Sequence, residues 1–142
     1  GGDWTDPANW SPVEASAAPI VSTIGTDVTP PVASFTLTYD DAHDAWLMVY
    51  SPWPGFTDRV EVRVAESPVG PFTDPVTVFL PGCGETSNGV TYRCYAGTAQ
   101  PKLSGPGLLG VGYYDQLITA APLRGQYMTV TVPFSVVATP GP

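Results

Sequence analysis

The feature that most limits the fold of this chain is a series of short apolar or alternating segments. Turns rich in proline and glycine separate these segments. The 142 residues include 17 prolines and 15 glycines. Residues 59–66 alternate strictly, so that Val60, Val62 and Val64 point to one face. Residues 45–51 form a continuous apolar run, which is typical of a strand buried on both faces. Since no stretch combines a helical period with caps, the sequence predicts an all-β protein.

The predicted strands fall into two units. Residues 1–32 are expected to form an irregular proline-rich arm with one candidate strand at 19–24. Residues 33–80 read as a four-stranded unit and residues 81–139 as a second unit with at least three strands, and four-stranded units of this length are typical of β-propeller blades. We therefore predict about two antiparallel blades of an incomplete ring, with a β-sandwich as the alternative. The predicted strands are 34–39, 45–51, 59–66, 75–80, 95–104, 107–115 and 126–137.

The charge balance excludes several classes of partner. The formal net charge is −8, and only five residues are Lys or Arg. A chain with so few cations is not expected to bind nucleic acid or an anionic membrane, and its apolar runs are too short for a membrane helix. No phosphate loop, CxxC or HExxH motif is present, so no cofactor is predicted. The single histidine, His43, lies in the turn "DDAHD", and we predict no metal site.

The two cysteines give an indication of the cellular compartment in which the protein is found. Cys83 and Cys94 flank a loop of Gly, Ser and Asn residues, as in a hairpin tied by a disulfide. We predict that they are bonded, and two free thiols are the alternative. A disulfide and the presence of one lysine in the whole chain favour secretion. Asn9 begins an Asn-Trp-Ser glycosylation sequon, which matters only in a eukaryotic secretory route.

The segment "RVEVRVAESPVGPFTDPVTVFLPG", residues 59–82, resembles the outer strands of five-bladed propeller proteins. Its phrase S-P-x-G-P-[FW] is similar to one in domain of unknown function 4185, a family of mostly secreted bacterial proteins related to glycoside hydrolases. "DPANW", residues 34–51 and residues 95–115 resemble the C-terminal blades of that family in the same order. The resemblance covers about residues 4–137.

The resemblance implies a carbohydrate-active protein. Some related propellers are glycosidases of furanose-containing polysaccharides, with acidic residues where the blades converge. The chain departs from the family at Gln100-Pro101, where His-Pro is common. Because two blades cannot close a ring, we expect the missing blades to come from another segment, another chain or further copies of this one. The predicted function is to complete or support a glycan site of a secreted propeller, and the alternative is a non-catalytic extracellular module that binds glycans or self-assembles.

Six residues are candidates for a sugar site. Asp115, at the end of a buried strand, is the one candidate for catalysis, and a strand-end carboxylate is the structural alternative. Aromatic faces and polar donors suit hydroxyl-rich ligands, although the tyrosines can equally pack between blades. Since no second carboxylate makes a convincing pair with Asp115, catalysis by this chain alone is not predicted. The expected ligand-binding residues are Gln100, Lys102, Tyr113, Tyr114 and Trp53.

The turn at residues 66–72 is the last candidate. Glu66 can be taken for an acid, but we interpret it as a solvent-facing residue beside a turn. In this interpretation Gly70 supplies an unusual φ, and Pro68 and Pro71 stiffen the turn. Phe72 is expected to pack back onto the sheet.

Overall fold

The computed structural model describes residues 5–9, 13, 32–52, 57–84, 86–87, 90–118 and 124–138. The candidate strand at 19–24 and Trp53 lie outside the described residues, as do Trp10 and Ser11 of the sequon. A single 3-10 turn, Pro7–Asn9, is described in the N-terminal arm.

Four strands form the first antiparallel sheet in chain order: β1 (Val32–Asp40), β2 (Ala45–Pro52), β3 (Arg59–Ala65) and β4 (Val76–Phe79). The turn at residues 41–44 joins β1 to β2, and the turn at 66–73 follows β3. These strands confirm the predictions at 34–39, 45–51, 59–66 and 75–80 to within a few residues.

The second sheet has the same serial order. It contains the two-residue strand β5 (Thr86–Ser87) and three long strands, β6 (Val90–Ala99), β7 (Leu108–Ile118) and β8 (Arg124–Pro133). A five-residue helix, α1 (Phe134–Ala138), follows β8. The described part of the chain is thus all-β with little helix, as predicted.

The predicted strand 107–115 corresponds to β7, whereas the strand predicted to begin at residue 95 begins at Val90, and two predicted strands end too late. The predicted strand 95–104 ends at Ala99, because Pro101 starts a 3-10 turn, Pro101–Leu103. The predicted strand 126–137 ends at Pro133, and residues 134–137 belong to α1. In α1 Val137 is fully buried, so burial of one apolar side chain holds this short helix against the sheets.

The core lies between the two sheets. The alternation of β3 holds as predicted, with Val60 and Val62 inaccessible to solvent. They form one apolar cluster with residues of β7 and with Val137. The other fully buried members of that cluster, at 0–1% exposure, are Leu47, Val49, Cys94, Leu109, Val111 and Tyr113.

Strand β2 is buried on both faces, as its apolar run predicts. Leu47 and Val49 face the common core, whereas Met48 and Tyr50, at alternate positions, are also almost inaccessible. Tyr50 lies below Arg63, whose Nε donates a hydrogen bond of 3.2 Å to the phenol oxygen. The guanidinium carbon is 6.0 Å from the ring centroid, within the range of a cation–π contact.

Burial, followed by a hydrogen bond to Glu61, raises the pKa of Tyr50 to about 12, and Arg63 opposes this only in part. Above its usual pKa of about 10 the unfolded side chain loses its proton while the folded one keeps it, so stability must fall as the pH rises. We expect the free energy of unfolding to drop by about 1 kcal/mol between about pH 9 and about pH 11 because of this residue. Urea denaturation of the wild type and of Tyr50→Phe across that range measures it. The same slope in both proteins would contradict this account.

Two hydrogen bonds join the sheets where β6 crosses β1 and β2. The backbone N–H of Gly97 donates to Ser51 Oγ at 3.0 Å, and that of Ala99 donates to Thr36 Oγ1 at 2.9 Å. Gly97 is buried, and a Cβ at this position would collide with Val60 Cγ1. Glycine is therefore required here for the close approach of the two sheets.

The disulfide predicted between Cys83 and Cys94 is present, with the two Cα atoms 5.6 Å apart. Both cysteines are buried in the common core. The carbonyl of Cys94 also accepts a hydrogen bond of 2.9 Å from the Thr57 N–H, next to the start of β3. The disulfide thus ties the loop before the second sheet to that sheet itself.

The turn after β3 agrees with its predicted role. Gly70 has φ of +81°, Glu66 is exposed, and Phe72 is partly buried. The Gly70 N–H donates to Ser67 O at 3.0 Å, and the Thr73 N–H donates to Val64 O at 2.9 Å, which closes the turn. The Gly70–Pro71 peptide bond is cis.

Candidate functional site

Three tyrosines lie in one row across the outer face of the second sheet. In the strand register Tyr95 of β6 is paired with Tyr114 of β7, and Tyr114 is paired with Tyr127 of β8. Because side chains alternate along a strand, this row faces away from the core that Tyr113 enters. The rings of Tyr95 and Tyr114 are in contact, with centroids 5.1 Å apart and planes tilted by 53°. We call Tyr95, Tyr114 and Tyr127 the tyrosine row.

Two of these rings lie across glycines of the neighbouring strand. A Cβ at Gly112 of β7 would collide with the phenol group of Tyr127, and a Cβ at Gly125 of β8 would collide with that of Tyr114. The Tyr127 ring therefore extends from β8 over the backbone of β7, and the Tyr114 ring extends from β7 over the backbone of β8. Tyr127 remains 52% exposed. Aromatic rings held low over the sheet in this way leave ring surface accessible from outside.

A small hydrogen-bond network fixes the phenol group of Tyr127. Its oxygen is 2.7 Å from Thr98 Oγ1, and it accepts a bond of 2.6 Å from Gln100 Nε2. The same amide nitrogen donates to Thr98 Oγ1 at 3.1 Å, and Thr98 reaches the Gly112 carbonyl at 3.3 Å. The network holds the ring in place.

The structure brings together two of the residues predicted for a sugar site and separates the others. Tyr114 and Gln100 both belong to the surface around the tyrosine row. Tyr113 points the other way, is 1% exposed and donates from its hydroxyl to Pro81 O at 3.2 Å. Burial, and then the charge of Asp115, raises the pKa of Tyr113. Lys102 is exposed in the turn Pro101–Leu103.

Asp115 lies on the core-facing side of β7, opposite the tyrosine row. It is 8% exposed, and its Oδ1 has no hydrogen-bond partner in the described part of the chain. Its neighbours in the register are Cys94 and Gln126. The candidate for catalysis and the candidate aromatic surface are therefore on opposite faces of the same sheet.

Tyr95, Tyr127 and Thr98 were missed as candidates from the sequence. The signal for Tyr127 is the alternation in "QYMTVTV", which places Tyr127, Thr129 and Thr131 on one exposed face. No local pattern shows that this face continues through Tyr114 and Tyr95, because the register of three strands decides it.

Among the described residues no group of three or more His, Cys, Asp or Glu is placed to hold a metal ion. In the same part of the chain no helix is long and apolar enough to span a membrane.

Comparison of the chain with protein-family models, with curated proteins and with solved structures gives no match.

Proposed function

We propose that this chain is a glycan-binding β module and that the glycan lies on the tyrosine row. The observation that carries the proposal is the placement of Tyr114 and Tyr127 low over Gly125 and Gly112, with Tyr127 half exposed. The C–H groups of a sugar ring pack well on an aromatic face, and rigid tyrosines lose little conformational entropy when a ligand binds. A flat face of this kind suits a polysaccharide chain better than a small buried ligand.

The polar groups around the row match the hydroxyl groups of such a ligand. Gln100, Thr98 and the Tyr127 hydroxyl are already linked, and the exposed Arg93, Thr129 and Thr131 lie on the same side of the sheet. Hydroxyl, amide and guanidinium groups provide the donors and acceptors that orient a sugar.

The surface is built for binding rather than hydrolysis. A glycosidase places two carboxyl groups about 5 to 10 Å apart across the scissile bond. No described outward-facing side chain of β6, β7 or β8 is an Asp or Glu. Asp115 is on the other face, so we assign it no part in binding the glycan.

A second candidate is that the chain is part of a carbohydrate-active propeller, as its resemblance implies. The serial strand order of both sheets is the order within propeller blades, and the burial of β2 on both faces fits a sheet covered on two sides. Two sheets around one core also fit a sandwich. The two candidates differ in the solvent exposure of the tyrosine row. A neighbouring blade would cover the row, whereas a free module would expose it. In either case an extracellular location agrees with the disulfide.

Replacing Tyr127 with alanine is expected to weaken polysaccharide binding about tenfold, because it removes the most exposed ring of the row. Affinity gel electrophoresis with arabinan, xylan, mannan and β-glucan in the gel measures the retardation of the wild type and the variant. Tyr39→Ala is the matched control, since Tyr39 is 39% exposed on the first sheet. A wild type that none of these polysaccharides retards, or equal retardation of both variants, would refute the proposal.

A further inference from the structure

A cavity of about 550 Å³ lies between the β1–β2 turn, the end of β3, the turn after β3 and helix α1. The first sheet and α1 form it, so it is separate from the tyrosine row. Its wall is partly apolar, with the Phe134 ring as its largest apolar group. The lining residues that the argument uses are His43, Asp44, Val64, Glu66, Pro71 and Phe134.

The described wall of the cavity carries two acidic side chains. Asp44 and Glu66 are exposed residues of this wall, and no lysine or arginine is among its described lining residues. Asp44 also accepts a hydrogen bond from the Tyr39 hydroxyl, and this bond raises the pKa of Tyr39. The cavity therefore presents negative charge in a chain whose net charge is already −8.

A second, independent feature is the state of His43. Its side chain is 7% exposed, and Nδ1 is 3.1 Å from Oδ2 of the fully buried Asp40. The other carboxylate oxygen of Asp40 accepts the Ala42 N–H at 3.1 Å. Because a carboxylate oxygen accepts hydrogen bonds, an imidazole with a single proton carries that proton on Nδ1, and Nε2 of this tautomer is an acceptor.

Nothing in the described part of the chain pairs with this acceptor. Nε2 of His43 is buried without a hydrogen-bond partner, and the imidazole is stacked on Phe134, with centroids 3.8 Å apart and planes 13° from parallel. A buried acceptor without a partner destabilises a folded protein, and a donor that reached it would remove that cost.

We propose that the cavity binds a small organic cation with an ammonium group and an apolar body. The ammonium group lies between the carboxylates of Asp44 and Glu66 and donates one N–H to His43 Nε2. The apolar body packs on Phe134, Val64 and Pro71. Since Nε2 is buried, the side chains around it must shift slightly to admit the donor. An anion is excluded by the two carboxylates.

NMR titration tests the proposal directly, because His43 is the single histidine and its imidazole nitrogens are assigned without ambiguity. The probes are benzylammonium chloride and benzyl alcohol, which match in size and differ in charge. We expect benzylammonium to shift the Nε2 resonance in a saturable manner and benzyl alcohol to have no such effect. Equal binding of both probes, or an Nε2 resonance that does not move, would overturn the proposal.

The Glu66→Gln variant tests the role of the carboxylate without disturbing the core, since Glu66 is exposed. We expect it to weaken benzylammonium binding about threefold to fivefold, as for the loss of one solvent-exposed ion pair. Asp58→Asn is the matched control because it removes the same charge at the opposite end of β3, beside Arg59. Equal dissociation constants for the two variants would also overturn the proposal.

Discussion

Replacing Gly97 with alanine is expected to lower the free energy of unfolding by about 3 kcal/mol. A Cβ at this position would collide with Val60 Cγ1, and Val60 is fully buried in the common core. Relief requires either Val60 to leave its packing position or β6 to move away from β2, which would break the hydrogen bond from Gly97 to Ser51. Overpacking of a close-packed core costs about 1–3 kcal/mol, and the strained hydrogen bond adds to it.

Urea denaturation followed by tryptophan fluorescence measures this loss. Gly105→Ala is the control, because a Cβ at Gly105 meets nothing within 4 Å and the residue does not have a positive φ. We expect the control to change the free energy of unfolding by less than about 0.5 kcal/mol. If Gly97→Ala were as stable as Gly105→Ala, the close approach of the two sheets at this point would be wrong.

Removing the disulfide is expected to cost about 3 kcal/mol. The bond closes a short loop, and in the chain-entropy account a loop of this size restricts the unfolded chain by nearly this amount. Cys94 is also fully buried, so replacing it with alanine leaves a small void beside the start of β3. The Cys83→Ala/Cys94→Ala double variant is compared with the wild type by thermal and urea denaturation.

Denaturation of the wild type under reducing conditions distinguishes the loss of the covalent constraint from the loss of the buried sulfur atoms. Reduction removes the covalent constraint and keeps both sulfur atoms, so we expect it to destabilise the protein slightly less than the double substitution does. An unchanged denaturation midpoint after full reduction would contradict the placement of the disulfide in the core.

The sequence predicts the first sheet well because its strands carry their own signals. The alternation of Val60 and Val62 and the apolar run of β2 are local patterns, and both correspond to the observed burial. The Gly70 turn is also local, and its positive φ follows from residue type.

The errors lie where structure depends on distant contacts. Helix α1 has five residues, too few for a helical period, and it is held by Val137 in the core and Phe134 on His43. The "DDAHD" segment does form the turn that its composition predicts. The stacking of His43 on Phe134, however, depends on α1, which lies more than 90 residues later in the chain.

The candidate site was predictable in part. The chemistry of Tyr114 and Gln100 predicts a binding role for both, and the structure places both on one surface with Tyr127. Tyr113 is predicted together with Tyr114, but adjacent residues of a strand point to opposite faces, and Tyr113 is buried. The row itself depends on the register of β6, β7 and β8, and a single-strand pattern does not contain that information.

The most direct test of glycan binding is a map of where the glycan binds. The ¹⁵N-labelled chain is titrated with an oligosaccharide of the polysaccharide that retards it most, and backbone amide shifts are followed. We predict that the perturbed amides cluster at Tyr95, Thr98, Gly112, Tyr114, Gly125 and Tyr127 on the outer face of the second sheet. Perturbations confined to the first sheet, or none at saturating oligosaccharide, would contradict the account.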